Sequence, residues 1–90
     1  MKDIKTIGEF LDFLIETNNN YENEFFFDYA GNVDAFGLYM YPKGKREVKD
    51  AIYYTLLSYV YKKDIPAKIE EMVKWVKENR GAKEPEVEHV

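Results

Sequence analysis

The chain has no cysteine and a single histidine, His89. Without cysteine there is no disulfide framework and no thiol chemistry. With no other imidazole, the Ser-His and Cys-His arrangements of covalent hydrolysis have no partners to draw on. Ser58 falls in mid-helix in the reading below, with no strand-to-helix elbow ahead of it. No glycine-rich phosphate loop and no dinucleotide fingerprint occurs. A metal ion would have to rely on carboxylates; Glu84, Glu86, Glu88 and His89 could contact one, but in a stretch that offers no preorganised geometry. Glu70-Glu71 reads as part of a solvated helix face. The expectation is therefore a non-enzymatic chain with no catalytic residues, no metal site and no cofactor. Nor does any apolar run approach the length of a membrane span, and the leading segment MKDIKTIGEF lacks the apolar stretch of a signal peptide. The expected location is cytoplasmic, with no membrane partner.

A second absence is of one sign of charge. From Thr6 to Pro42 there is no Lys or Arg, while Glu9, Asp12, Glu16, Glu22, Glu24, Asp28 and Asp34 all fall there. Residues 1–42 hold two basic and eight acidic groups, and residues 43–90 hold eleven and nine. A chain polarised in this way either neutralises itself in the fold or presents an acidic surface to a basic partner.

What the chain has in plenty is aromatic rings: eight Tyr and six Phe contribute to an aromatic share of 17%. Ninety residues make one domain, and large rings supply buried area that a domain of this size needs. We place that domain at residues 1–81, with 82–90 (AKEPEVEHV) as a flexible tail, because the tail is charged and nearly without apolar side chains. Neither an internal repeat nor an interdomain linker is visible.

Thr6 and Glu9 have capping-box spacing. Ile7, Phe10, Leu11 and Leu14 follow at i, i+3, i+4 and i+7, which predicts an amphipathic helix over Ile7 to Thr17 ended by Asn18, Asn19 and Asn20. Glu22 to Tyr41 reads as a β-hairpin built from strand formers around a two-residue turn, Gly31-Asn32. That turn would pair Ala30 with Val33, Phe27 with Phe36 and Phe25 with Leu38. One face then carries Phe25, Phe27, Phe36, Leu38 and Met40, a core face. The other carries Glu22, Glu24, Phe26, Asp28, Tyr39 and Tyr41, with Phe26 lying across from Gly37.

The stretch Lys45 to Lys63 reads as the central helix. On a helical wheel Val48, Ile52, Thr55, Leu56, Tyr59 and Val60 share one side, and Tyr53, Leu57, Tyr61 and Tyr54 extend the apolar arc. Asp64 is placed as the N-cap of a last helix with Pro66 in its first turn. Ile65, Ile69, Met72, Val73 and Val76 form its stripe, Trp75 flanks it, and Gly81 stops it. The fold class expected is α+β: a helix, a two-stranded antiparallel hairpin, then two helices, with the 45–63 helix central in the core.

Three surfaces stand out. Phe26, Tyr39 and Tyr41 among Glu22, Glu24 and Asp28 have the composition of a binding surface, stiff rings with a polar rim. With the acidic side of the first helix (Glu9, Asp12, Glu16), they are the expected contact for a protein partner with a basic surface. A small acidic inhibitor of a basic, nucleic-acid-handling enzyme, as mobile genetic elements often encode, is the natural subtype. The second surface is the cluster Lys43, Lys45, Arg46 and Lys49, which could hold an anion or a nucleic-acid phosphate. With the helical pair 45–80, whose last helix would expose Lys68, Glu70, Glu71, Lys74, Lys77 and Glu78, it makes a nucleic-acid-binding regulator the alternative, less favoured in an acidic chain. The third possibility is a homodimeric assembly subunit whose outer hairpin face is the contact.

Overall fold

In a computed structural model of the chain, which describes residues 3–31 and 35–84, five elements follow in order. They are α1 (Ile7–Asn20), β1 (Glu24–Ala30), β2 (Ala35–Tyr41), β3 (Ile52–Tyr59) and α2 (Ile65–Asn79). Short 3-10 turns at Val48–Asp50 and Lys62–Asp64 flank β3. The class is α+β, with one antiparallel sheet in the order β1-β2-β3 and both helices on one of its faces. No helix among the described residues is long and apolar enough to cross a membrane.

The expected helix over 45–63 does not form: its middle is strand β3, so the sheet has three strands rather than two. Ile52, Tyr53, Tyr54, Thr55 and Tyr59 are β-branched or aromatic, types that pack well on a pleated surface and lose side-chain freedom in a helix. A two-stranded hairpin is marginal by itself, and β3 supplies β2 with a second ladder. The apolar arc read as a core helix is instead an edge strand with several side chains in solvent. Val48, Leu56 and Leu57, placed in the core by the helical wheel, are exposed, and of that stretch only Val60 is fully buried.

The hairpin register also differs. Glu24 pairs with Tyr41, Phe25 with Met40, Phe27 with Leu38, Tyr29 with Phe36 and Ala30 with Ala35. The connection is thus the four residues 31–34, not the pair Gly31-Asn32; the pairing expected for Val33 falls on a residue outside those described. The slip is by two positions, and strand side chains alternate with period two, so every residue keeps its face. Phe25, Phe27, Phe36, Leu38 and Met40 face the core as expected. The residue across from Gly37 is Asp28, not Phe26, which faces Tyr39.

At the start of α1, Glu9 N–H donates to Thr6 Oγ1 at 3.1 Å and Thr6 N–H to Glu9 Oε1 at 3.0 Å, completing the capping box. The helix runs on to Asn20 rather than stopping at Thr17, because the asparagines put their amides to use. Asn20 Nδ2 donates back to the Glu16 carbonyl at 2.8 Å. Asn18 reaches across to the backbone of Phe25, donating to its carbonyl at 2.9 Å and accepting from its N–H at 2.8 Å. Asp64 stands at the N-cap of α2 without a side-chain capping bond, and Pro66 occupies the first turn, where a missing N–H costs nothing. Gly81 takes φ +78° just past the end of α2, the left-handed stop its position predicts.

Phe10 and Leu14 of α1 meet Ile69, Met72 and Val76 of α2 over Phe25, Phe36, Leu38 and Met40 of the sheet, with Val60 at the margin. Edge-to-face ring pairs knit the layers: Phe10 with Phe27 at 5.1 Å and Phe25 with Trp75 at 5.7 Å. Of the stretch read as a tail, Ala82–Glu84 runs beside the chain leaving α1. Glu22 N–H donates to the Ala82 carbonyl at 3.1 Å, and Glu84 N–H to the Asn20 carbonyl at 2.7 Å. Residues 85–90 lie outside those described.

Candidate functional site

With both helices on the inner face, no helix among the described residues lies over the outer face of the sheet, and the rings it carries cluster there. Phe26 and Tyr39 are directly cross-paired, and their rings stack at 5.3 Å with 14° between planes. Tyr41 stands nearly perpendicular to both, 5.7 Å from Phe26 and 6.1 Å from Tyr39. Tyr53 of β3, paired with Tyr39, adds a fourth ring at 5.3 Å. Phe26 and Tyr53 are exposed, and Tyr39 and Tyr41 half-buried between them. Burial among these rings, then the Asp28 carboxylate, then Tyr41 and Tyr53, push the Tyr39 phenol above its ordinary 10.0. Its hydroxyl, like any tyrosine's, can donate a hydrogen bond to a docked acceptor.

The carboxylates around the cluster are not equivalent. Asp28 lies on the outer face, opposite Gly37. Glu24 is bound by Arg46, with Nη1 to Oε2 at 2.8 Å. Glu22 is turned toward the C-terminal segment, its Oε2 accepting from Ala82 N–H at 3.1 Å. Glu9, Asp12 and Glu16 sit on α1, in the layer on the other side of the sheet, where with Ile4 and Phe13 they line a shallow groove of about 210 Å³. Glu9 is further occupied by its own helix cap. The geometry thus joins Phe26, Tyr39, Tyr41, Glu24 and Asp28, adds Tyr53, and sets the α1 acids apart.

The basic cluster does not stand at the N-terminus of an α-helix: only the three-residue 3-10 turn Val48–Asp50 begins there among the described residues. Lys43 pairs with Glu84 at 3.2 Å, Arg46 with Glu24 at 2.8 Å and Lys49 with Glu47 at 3.2 Å. The helical pair expected over 45–80 is reduced to α2 alone. On α2, Glu71 accepts from Tyr54 Oη at 3.0 Å and from Lys68 Nζ at 3.2 Å. Of the four residues weighed as metal ligands, Glu84 is the ion-pair partner of Lys43, and Glu86, Glu88 and His89 lie outside the described residues.

Tyr53 is the site residue the sequence reading missed, having been assigned to a buried helix. Its signal was present in the run Ile52-Tyr53-Tyr54-Thr55, four strand formers in succession. The fold and this face together define a small α+β domain, three antiparallel strands on two helices, with an aromatic patch on the open side of the sheet. Comparison with protein-family models, curated proteins and solved structures finds no match to the chain.

Proposed function

We propose that the chain is a non-enzymatic protein–protein interaction module that docks its partner on the open face of the sheet. The observation that carries this reading is the four-ring cluster Phe26, Tyr39, Tyr41 and Tyr53, left uncovered by either helix. Rings of this kind give large contact area with little conformational freedom to lose, the property of interface anchors. Asp28 beside the cluster and the excess of acidic groups in residues 1–42 suit a partner with a basic surface. An inhibitor of a basic, nucleic-acid-handling enzyme is the subtype this charge fits. The nucleic-acid alternative has less support, because Lys43, Arg46 and Lys49 already face carboxylates of the same chain.

The test sets retention on heparin and on DNA against capture of basic proteins by the immobilised chain. The expected result is no retention on polyanions, and capture that Tyr39→Ala and Phe26→Ala abolish and added salt weakens. Retention on DNA at low salt that disappears in Lys45→Glu/Arg46→Glu would replace this reading with a nucleic-acid-binding regulator.

A further inference from the structure

The two edges of the sheet are finished differently. Along β1, the Asn18 amide occupies both backbone polar groups of Phe25, and Phe10 of α1 packs on Phe27. Along β3, nothing comparable occurs: the strand pairs with β2 on one side, and among the described residues no strand pairs with it on the other. Exposed edges are ordinarily blunted by lysine, by proline or by a charge pointing inward. From Ala51 to Tyr61 the chain has none of these, and no charged residue of either sign. Two bulges interrupt the ladder, between Phe36 and Leu38 and between Leu38 and Tyr39 of β2. Bulges are the one edge-protecting device present here, and at the first of them Leu56 and Leu57 still stand in solvent opposite Gly37.

We infer that the β3 margin is an interface between two copies of this chain, β3 against β3 about a two-fold axis. Three observations favour a second copy as the occupant. The first is area. Leu56 is 73% exposed, Leu57 62%, Tyr59 60%, Tyr61 61%, Ile52 45% and Tyr53 46%. Rings and branched chains of that size at those exposures leave on the order of 800 Å² of largely apolar surface along the two sides of this edge, about what one side of a standard interface buries. The second is charge. A two-fold contact sets one patch against its own copy, so every charge in it needs a partner within the same patch; the strip 51–61 has no charge to match. The third is continuity. Tyr53 belongs both to this margin and to the outer-face cluster, so joining two β3 strands brings the ring clusters of the two copies toward each other across one extended sheet. The inference does not rest on the proposed docking role of the outer face.

The test is the mass of the 90-residue chain in solution, by sedimentation equilibrium from low micromolar to submillimolar concentration. The expected mass is about twice 10.7 kDa. Leu56→Lys and Leu57→Lys replace exposed side chains, so circular dichroism should be unchanged while the mass falls to that of the monomer. Mixing Leu56→Lys with Leu56→Glu should recover part of the dimer, since the two β3 margins then carry opposite charges. A wild-type monomer throughout the range overturns the inference. So does a dimer that survives both lysine variants and is lost in Phe26→Asp, which would put the contact on the outer face. A monomer that dimerises only when residues 85–90 are deleted overturns it too, by showing that the chain's own end covers the margin. Loss of partner capture in Tyr39→Ala with the dimer intact would leave the two proposals separately judged.

Discussion

The carbonyl oxygen of Leu56 lies 2.7 Å from the point where a β-carbon on Gly37 would stand. The contact is backbone to backbone, at the bulge where Leu56 and Leu57 together face the single residue Gly37. A side-chain tip could swing aside, but this carbonyl can move only if β3 moves with it. Gly37→Ala is therefore expected to cost about 1–3 kcal/mol, as overpacking a tight site does. Urea denaturation would measure it as a lower midpoint at unchanged slope. Amide chemical-shift changes should concentrate on β3 rather than on β1. A variant as stable as the wild type, with β3 undisturbed, would contradict this account of the bulge.

Asn18 closes the opposite edge by bonding both backbone groups of Phe25, a pairing a neighbouring strand would otherwise make. Asn18→Ala leaves a partly buried N–H and a carbonyl without these partners, and the expected loss is about 1–3 kcal/mol. Asn18→Asp should be no better. It keeps an acceptor for the Phe25 N–H but turns a carboxylate toward the Phe25 carbonyl, where a donor was. Thermal unfolding of the two variants beside the wild type checks both statements. Hydrogen exchange should show the loss first at the Phe25 amide.

How much of this was legible depends on which physical signal each residue sends. The capping box at Thr6 and Glu9 and the stop at Gly81 are local, and both stand in the structure. The faces of β1 and β2 were legible even though the turn was not, because a register slip by two leaves alternation intact. That parity is why Phe26, Tyr39 and Tyr41 emerge on one face from a wrong loop. The stretch 45–63 was misread because an edge strand exposing apolar side chains on both sides looks, on a helical wheel, like a helix buried all round. Its β-branched and aromatic content was the signal to weigh against periodicity. The separation of Glu9, Asp12 and Glu16 from the ring cluster is a matter of layers: it depends on which face of the sheet α1 packs against, and nothing local in the chain records that. Likewise the ion pairs of Lys43 with Glu84 and of Arg46 with Glu24 join positions far apart in sequence.

Tyr39 should be a late-titrating phenol. Its raised value comes from burial first and from Asp28 second. A phenol whose folded value lies above its unfolded 10.0 contributes stability that is complete below pH 10.0 and is lost as pH rises through the folded value. Phe26→Ala uncovers the stacked ring and should bring the titration midpoint down toward 10.0 more than Asp28→Asn does, because burial is the larger cause. Carbon-13 NMR of the tyrosine ring would follow the midpoint in each variant. If Asp28→Asn moved it further than Phe26→Ala, charge rather than ring packing would govern this face.

Tyr54 ties β3 to α2 by a different chemistry, and the pH dependence there has the opposite sign. Its hydroxyl donates to Glu71 at 3.0 Å while its ring rests 5.5 Å from Trp75. That hydrogen bond first, and the hydrogen bond and charge of Lys68 after it, hold the Glu71 carboxyl below its ordinary 4.5. A carboxyl lowered on folding contributes stability that is present above pH 4.5 and is lost as pH falls through the folded value. Tyr54→Phe removes the larger cause and keeps the ring. The Glu71 midpoint, followed by carboxyl carbon NMR, should therefore rise toward 4.5, and should rise further in the double variant Tyr54→Phe/Lys68→Met. Added salt separates the two contributions further, since it screens the lysine charge but leaves the phenol hydrogen bond in place. In the wild type the midpoint should thus stay depressed at high salt, and in Tyr54→Phe salt should narrow the depression that remains.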